Sequence, residues 1–327
     1  MYIGLCIEDI AYRCGVVIGT GSGGIRAHQI NIEHIHDGRM QDVSPFYLIS
    51  AIPSTATTYF VKESGIKGPI ISVNSACSSG NHALGFASMM IKAGMADVIF
   101  AGGTEHAVNA PGISSFGNIG ALSTRNDEPQ LASRPFDADR DGFVMGEGAG
   151  VLCLEELEHA KARGAKIYGE LTGFGFTSDA YDLVAPHPEA EGAVRAITMA
   201  LDMAGLKPSD IGLINAHGTS TPIGDKVECL GIHKVFQELA SSIPVHSTKS
   251  IIGHLLGAAS AVEAIAALMV FSENIIHPTI NLQTPDPDIN LNIVTQNSNG
   301  SHVNHILSNA FGFGGMNACV ILSRFRE

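Results

Sequence analysis

One cysteine and two histidines carry the side chains best suited to chemistry in this chain. Cys77 lies in Asn74-Ser75-Ala76-Cys77-Ser78-Ser79-Gly80, His217 in Asn215-Ala216-His217-Gly218-Thr219-Ser220-Thr221, and His254 in Lys249-Ser250-Ile251-Ile252-Gly253-His254-Leu255. An apolar β-type run, 69–73, ends just before the cysteine and a helix-type run follows it, which puts the thiol at the first turn of a helix. There the unpaired N–H groups and the positive end of the macrodipole favour thiolate over thiol. A free cysteine of pKa ~8.5 is only a few per cent ionised at neutral pH; a lowering of about one unit, worth ~1.4 kcal/mol, brings that to roughly a quarter. A thiolate of this kind is a nucleophile for acyl transfer. Taken alone, the same cysteine reads equally as a small buried hydrophobe. The histidines follow strand-like runs in turns rich in glycine and threonine, at the sheet edge where ligands and catalytic groups gather. A last segment, Asn309-Ala310-Phe311-Gly312-Phe313-Gly314-Gly315, is either a tight hairpin or a turn whose N–H groups line an anionic site.

The elements that must position these residues alternate between strand-like and helix-like runs, which predicts an α/β protein with largely parallel sheets. Strands are expected at 15–18, 70–74, 97–101, 149–154, 167–174, 211–215, 244–247, 306–309 and 318–322, and helices at 78–93, 155–163, 191–204, 226–239 and 255–271. A weak internal repeat pairs residues 72–93 with 245–268, 16–19 with 213–216 and 98–101 with 306–309, and sets Cys77 beside His254. It divides the chain into halves at 1–163 and 164–327. Gly80, Ala83 and Gly85 on one helix and Gly257, Ala258 and Ala259 on the other let the two central helices approach closely.

With 327 residues, 45% hydrophobic and 16% charged, the chain is long and apolar enough for a large core. A formal charge of -13 argues against nucleic acid or an anionic membrane as a general partner. The six cysteines form no CxxC pair, which fits a reducing, cytoplasmic setting, and no metal site is expected. Residues 1–11 carry Glu8 and Asp9 and no basic region, unlike a signal or transit peptide. The longest apolar stretch, 255–271, is interrupted by Ser260 and Glu263 and reads as a buried helix.

In this order, Ser-Ala-Cys77-Ser-Ser-Gly, Asn-Ala-His217-Gly-Thr-Ser-Thr, Ser-Thr-Lys249-Ser with Gly-His254-Leu-Leu-Gly-Ala-Ala, and Asn-Ala-Phe311-Gly-Phe-Gly-Gly resemble a β-ketoacyl-[acyl-carrier-protein] synthase, most closely the elongating type II enzymes with a Cys-His-His set. The segments 121–127, 134–137 and 141–143 join the match, which runs from about residue 15 to the C-terminus. The resemblance implies a thiolase-like fold of two pseudo-repeated halves in α-β-α-β-α layers, with the first strand region of the N-terminal half missing. It implies decarboxylative Claisen condensation of an acyl thioester with malonyl-[acyl-carrier protein], giving 3-oxoacyl-[acyl-carrier protein] in fatty acid elongation. Cys77 would accept the acyl group, the N–H groups of Cys77 and Phe311 would hold the oxyanion, and His217 and His254, with pKa near ~6.5, would donate to the enolate oxygen. By the same resemblance Lys249 pairs with Glu263, Thr219 and Thr221 bind the pantetheine arm, Phe311 gates the acyl pocket, and Phe116 and Phe313 line it. Glu263 in an apolar helix supports this, since a lone carboxylate there is costly. A homodimer is implied, with acidic carrier protein docking near Arg125, and no cofactor beyond the phosphopantetheine that the carrier brings.

Four other readings compete. Gly19-Thr20-Gly21-Ser22-Gly23-Gly24 satisfies GxGxxG after a strand, but residues 25–40 make a poor crossover helix for a dinucleotide-binding dehydrogenase. A serine hydrolase lacks its GxSxG elbow. A polyketide ketosynthase is told apart by substrate profiling and by synthase or carrier modules alongside in the genome. A non-catalytic partner subunit would keep the fold alone: Tyr168 to Gly175 has no mate in the first half, where the family has an N-terminal strand read as the centre of that sheet. Intact Cys77, His217, His254 and Lys249 favour the enzyme.

Overall fold

The computed structural model describes residues 4–326; the outermost ends of the two expected halves, and the first residues of the segment 1–11, lie outside the described residues. Ten strands build two main sheets. In the first, β1 (Cys14–Gly19) lies between parallel β2 (Ile70–Val73) and parallel β3 (Val98–Glu105), and β4 (Gly148–Glu155) runs antiparallel to β3. In the second, β5 (Glu170–Ser178), β6 (Leu213–Asn215), β7 (Pro244–His246), β9 (Asn292–Ile293), β11 (His305–Gly312) and β12 (Met316–Ser323) take the order β5-β12-β11-β6-β7-β9. A short ribbon pairs β8 (Ile275–Ile276) with β10 (Ser298–Asn299). Both sheets are mixed, because β4, β5 and β12 are antiparallel to their neighbours.

The order β2-β1-β3-β4 repeats as β7-β6-β11-β12, so the sequence repeat is a structural one. The Ser79–Lys92 and Ala259–Glu273 helices pack between the sheets, and the largest core joins Leu84 and Ala87 of one, Ala264 and Ala267 of the other, Val17 and Ile99 of the first sheet and Leu213 and Ile306 of the second. They cross where Gly80 meets the second helix: a Cβ there would stand 2.6 Å from the Ala261 nitrogen, and the Asn81 N–H donates to Ser260 Oγ at 2.9 Å. The apolar Leu256–Glu273 stretch is long enough to cross a membrane by length and composition, yet it is mostly buried as this central helix.

Two expectations change here. The unmatched strand β5 is the outermost strand of its sheet, bonded only to β12, so its counterpart position lies beside β4 at the edge of the first sheet and not at the centre. The burial agrees: β12 is buried along nearly its whole length, whereas β4 is half-buried and Val151 is 36% exposed. Residues 25–36 do form a helix, Ile25–His36, although its sequence is rich in polar residues. Buried Asn31 explains part of this, donating to Ala27 O at 2.8 Å and accepting from the Ser44 N–H at 2.8 Å, so a long-range contact ties the helix down.

Candidate active site

Cys77 occupies a single 3-10 turn, Ala76–Ser78, immediately ahead of the Ser79–Lys92 helix. Ala76 begins that turn at φ +49°, a left-handed conformation that costs an alanine about 1–2 kcal/mol. The strain throws the cysteine toward the centre of the molecule, where it packs with Ala107, Phe143 and Leu256, bordered by Phe116 and Met145. Two backbone N–H groups, its own and that of Phe313, act on the sulfur and favour the thiolate.

The expected lowering of the thiol pKa is reversed. Burial pushes Cys77 up to about 11, against the opposing pull of Lys249 and of the two N–H groups, and Glu105 adds to the rise. Desolvation outweighs the helix terminus because the sulfur is shielded from water. The thiol is therefore the resting form at neutral pH.

His217 and His254 meet edge to face, with ring centroids 5.4 Å apart. His217 ends the turn after β6, and its backbone N–H donates to Glu228 Oε1 at 2.8 Å. His254 is held by its backbone N–H to Val144 O at 2.7 Å and packs on Phe143 at 5.2 Å. That contact links the 141–143 segment to the site, and Asp141 anchors the segment through Ser123 Oγ, the Thr124 N–H and Arg134. Burial, then Lys249, hold both imidazoles well below the usual histidine range, with His254 a further cause for His217. Both are neutral at neutral pH by a wider margin than the ordinary value near ~6.5 implies.

Lys249 is almost fully buried and joins the set: Nζ donates to Glu263 Oε1 at 2.5 Å and to His217 O at 2.6 Å, and lies 3.4 Å from His217 Nδ1. Burial raises the pKa of Glu263 and Lys249 opposes it. Phe116 and Phe313 face each other at 6.0 Å, and Phe116 also stacks edgewise on Phe143. Thr219 and Thr221 share a hydrogen bond at 3.0 Å on the turn that carries His217.

Phe311 takes another place than expected. It stands in the β11 ladder opposite Asn317 with its ring on His217 at 5.8 Å, so it touches a histidine while the N–H that reaches the sulfur comes from Phe313, two residues on. Arg125 is already paired with Glu128 at 2.7 Å, which reduces the free positive charge it offers a carrier protein.

Sequence reasoning missed buried carboxylates around the site, Glu228 and Glu105 among them. Glu228, on the Pro222–Phe236 helix, accepts from the N–H groups of His217 and Gly218 and from Asn309 Nδ2 at 3.0 Å, and burial raises its pKa. It lacked the signal that singled out Glu263, because its helix also carries Asp225, Lys226, His233 and Lys234. Glu105 ends β3 and accepts from the Gly21 N–H at 2.7 Å, the Ser22 N–H at 3.2 Å and the Ser22 hydroxyl. This carboxylate fills the amides of the GxGxxG turn that a dinucleotide phosphate would need.

Comparison with known proteins agrees with this geometry. Residues 5–160 match the family described as beta-ketoacyl synthase, N-terminal domain, and residues 168–283 its C-terminal domain. The chain belongs to the β-ketoacyl synthase family. It is 44% identical over 317 residues to a 3-oxoacyl-[acyl-carrier-protein] synthase 2 of Coxiella burnetii, covering 97% of this chain and 77% of that relative. A 3-oxoacyl-[acyl-carrier-protein] synthase 2 of Rhizobium meliloti is 46% identical, covering 95% and 74%. Among solved structures, a type II polyketide ketosynthase in complex with its acyl-carrier protein superposes with a TM-score of 0.95 at 35% identity, covering 98% of this chain and 80% of that one. A β-ketoacyl synthase from Burkholderia phymatum gives 0.91 at 38%, covering 98% and 77%. The fold is thereby the thiolase-like ketosynthase fold.

Proposed function

We propose that this chain is an acyltransferase that extends acyl groups by decarboxylative Claisen condensation, giving 3-oxoacyl-[acyl-carrier protein] in fatty acid elongation. The observation that carries this reading is a buried thiol that shares Phe143 as a neighbour with His254, which in turn meets His217 edge to face, both imidazoles held neutral. In the first half-reaction Cys77 sulfur attacks the acyl thioester, its proton leaves with the departing pantetheine thiolate, and the N–H groups of Cys77 and Phe313 receive the tetrahedral oxyanion, a contribution of several kcal/mol. In the second, malonyl thioester loses CO2, and neutral His217 and His254 donate to the enolate oxygen. The enolate carbon then attacks the acyl carbon, the bond to Cys77 breaks, and the sulfur regains a proton. Lys249 and Glu263 hold the charge and geometry beneath His217, Thr219 and Thr221 bind the pantetheine arm, and Phe116 and Phe313 line the acyl pocket.

The carrier protein delivers both substrates and the only phosphopantetheine, and the chain works in the cytoplasm as a homodimer with no metal or cofactor of its own. A neighbouring structure that is a ketosynthase with its acyl-carrier protein supports the partner. Higher identity to the fatty acid synthases than to the polyketide ketosynthase supports the pathway. Purified protein incubated with acyl- and malonyl-carrier protein is expected to release CO2 and form the 3-oxoacyl product, read by mass spectrometry. Absence of both, with Cys77 still open to alkylation, overturns the reading. A strong preference for polyketide intermediates over saturated acyl chains moves it to polyketide synthesis.

A further inference from the structure

Glu105 belongs to none of the roles above, yet its carboxylate gathers more donors than any other in the neighbourhood. It is 4% exposed. Oε2 accepts from the N–H groups of Gly21 and, at 3.0 Å, Gly257; Oε1 accepts from the Ser22 N–H and hydroxyl and from Thr20 Oγ1 at 3.4 Å. These donors come from opposite halves. Gly257 lies three residues beyond His254, in the 3-10 turn Leu256–Ala258. The Thr20–Ser22 loop reaches the other way: Thr20 O lies 3.2 Å from Ser79 Oγ, which donates to Ala76 O at 2.7 Å and accepts from the Ser75 N–H at 2.9 Å, so it frames the Cys77 turn. One carboxylate thus ties the turn bearing the nucleophile to the turn bearing a histidine, across the boundary between the halves.

We propose that Glu105 is a positioning residue that sets His254 against Cys77 by clamping Gly257 and the Thr20–Ser22 loop from one buried carboxylate. A carboxylate suits the task because it only accepts, and every group facing it donates. An amide of the same shape presents two N–H groups to those donors and leaves buried donors unmet. The clamp also puts a charge near the thiol: the charged groups that act on Cys77 are Glu105 from β3 and Lys249 from the Lys249–Ile252 helix, of opposite sign, with neutral His217 and His254 close to Lys249.

This inference rests on the condensing reaction proposed above, and its test separates the two. In the full chain, Glu105→Gln is expected to lower kcat for malonyl-thioester decarboxylation at least tenfold with KM within twofold, since His254 shifts while the binding groups stay. The rate of Cys77 alkylation by iodoacetamide is expected to move to lower pH, because a negative charge near the sulfur is gone. Glu105→Asp keeps the charge and is expected to restore the alkylation profile while leaving kcat low, its shorter arm not spanning both turns. A Glu105→Gln variant with parental kcat and an unmoved alkylation profile overturns the proposal. If that variant does not fold, Ser22→Ala, which removes one hydroxyl donor, is expected to lower kcat two- to fivefold; an unchanged kcat overturns the proposal. Should the parent itself lack decarboxylation, the alkylation profile alone decides Glu105, and the missing activity counts against the condensing reaction.

Discussion

The two halves each carry a 3-10 turn ahead of a central helix, Ala76–Ser78 before Ser79–Lys92 and Leu256–Ala258 before Ala259–Glu273. Each begins with a non-glycine residue forced left-handed, Ala76 at φ +49° and Leu256 at +48°. Superposing the turns sets Cys77 opposite Gly257, and not opposite His254 as the sequence repeat suggests. The first turn packs against the apolar side chains of Phe116 and Phe143, and the N–H of Phe313, just past β11, acts on its sulfur. The second is filled: a Cβ at Gly257 would stand 2.2 Å from the Gly21 nitrogen, and a carboxylate from the end of β3 takes its N–H. The alignment of β3 with β11 places Glu105 opposite Phe313, so equivalent strand ends cap equivalent turns, one with a donor and one with an acceptor. A duplicated frame therefore yields one reactive turn and one structural turn, and the difference lies in what caps each.

The comparison breaks most directly at Cys77. Cys77→Ala is expected to abolish acyl transfer, a loss of at least ~1000-fold, with a melting temperature within a few degrees of the parent; an acyl adduct still found on the protein by mass spectrometry moves the nucleophile elsewhere. The thiol, pushed up to about 11, is protonated at neutral pH, so the reactive thiolate grows tenfold with each pH unit below that value. Alkylation by iodoacetamide is then expected to rise roughly 1000-fold from pH 7 to 10 without levelling, and a plateau near neutral pH would restore the helix-terminus expectation. The filled turn is tested by Gly257→Ala, which overpacks against backbone and is expected to cost about 3 kcal/mol in urea unfolding, the upper end for overpacking. A neutral outcome would show that the two turns have similar room. Smallest, Phe313→Ala keeps the N–H at the sulfur, so Cys77 acylation is expected within about tenfold of the parent, less than the ~100-fold loss typical of a deleted oxyanion donor; a larger fall assigns the ring, not the backbone, the main role.

Much of the frame was legible because local signals were strong. The Glu191–Ala204 helix is read to the residue, since Gly205 closes it left-handed at φ +66°. The central strands are runs of buried aliphatics, and the two helices between them are rich in small residues, so both show in the pattern. The polar helices Ile25–His36 and Thr55–Ser64 did not show, because tertiary contacts such as those of Asn31 stabilise what the local pattern does not announce. Lys249 and Glu263 were legible as a pair through the family resemblance, supported by the cost of a lone carboxylate in an apolar helix; Glu228, on a helix with several other charged residues, gave no such signal, and its partners are backbone N–H groups of a turn distant in sequence.

The sequence by itself singled out the candidate side chains: the ordered motifs name Cys77, His217, Lys249 and His254, and the family follows from them. Only the tertiary structure decided how those groups are tuned. Depth of burial, which no local window records, turned the expected lowering of the thiol pKa into a rise and moved both histidines further into the neutral range. The direction of a single N–H at a hairpin end assigned Phe313 rather than Phe311 to the sulfur. Glu105, 28 residues from the cysteine and 152 from Gly257, gained its partners only when the halves closed on one another.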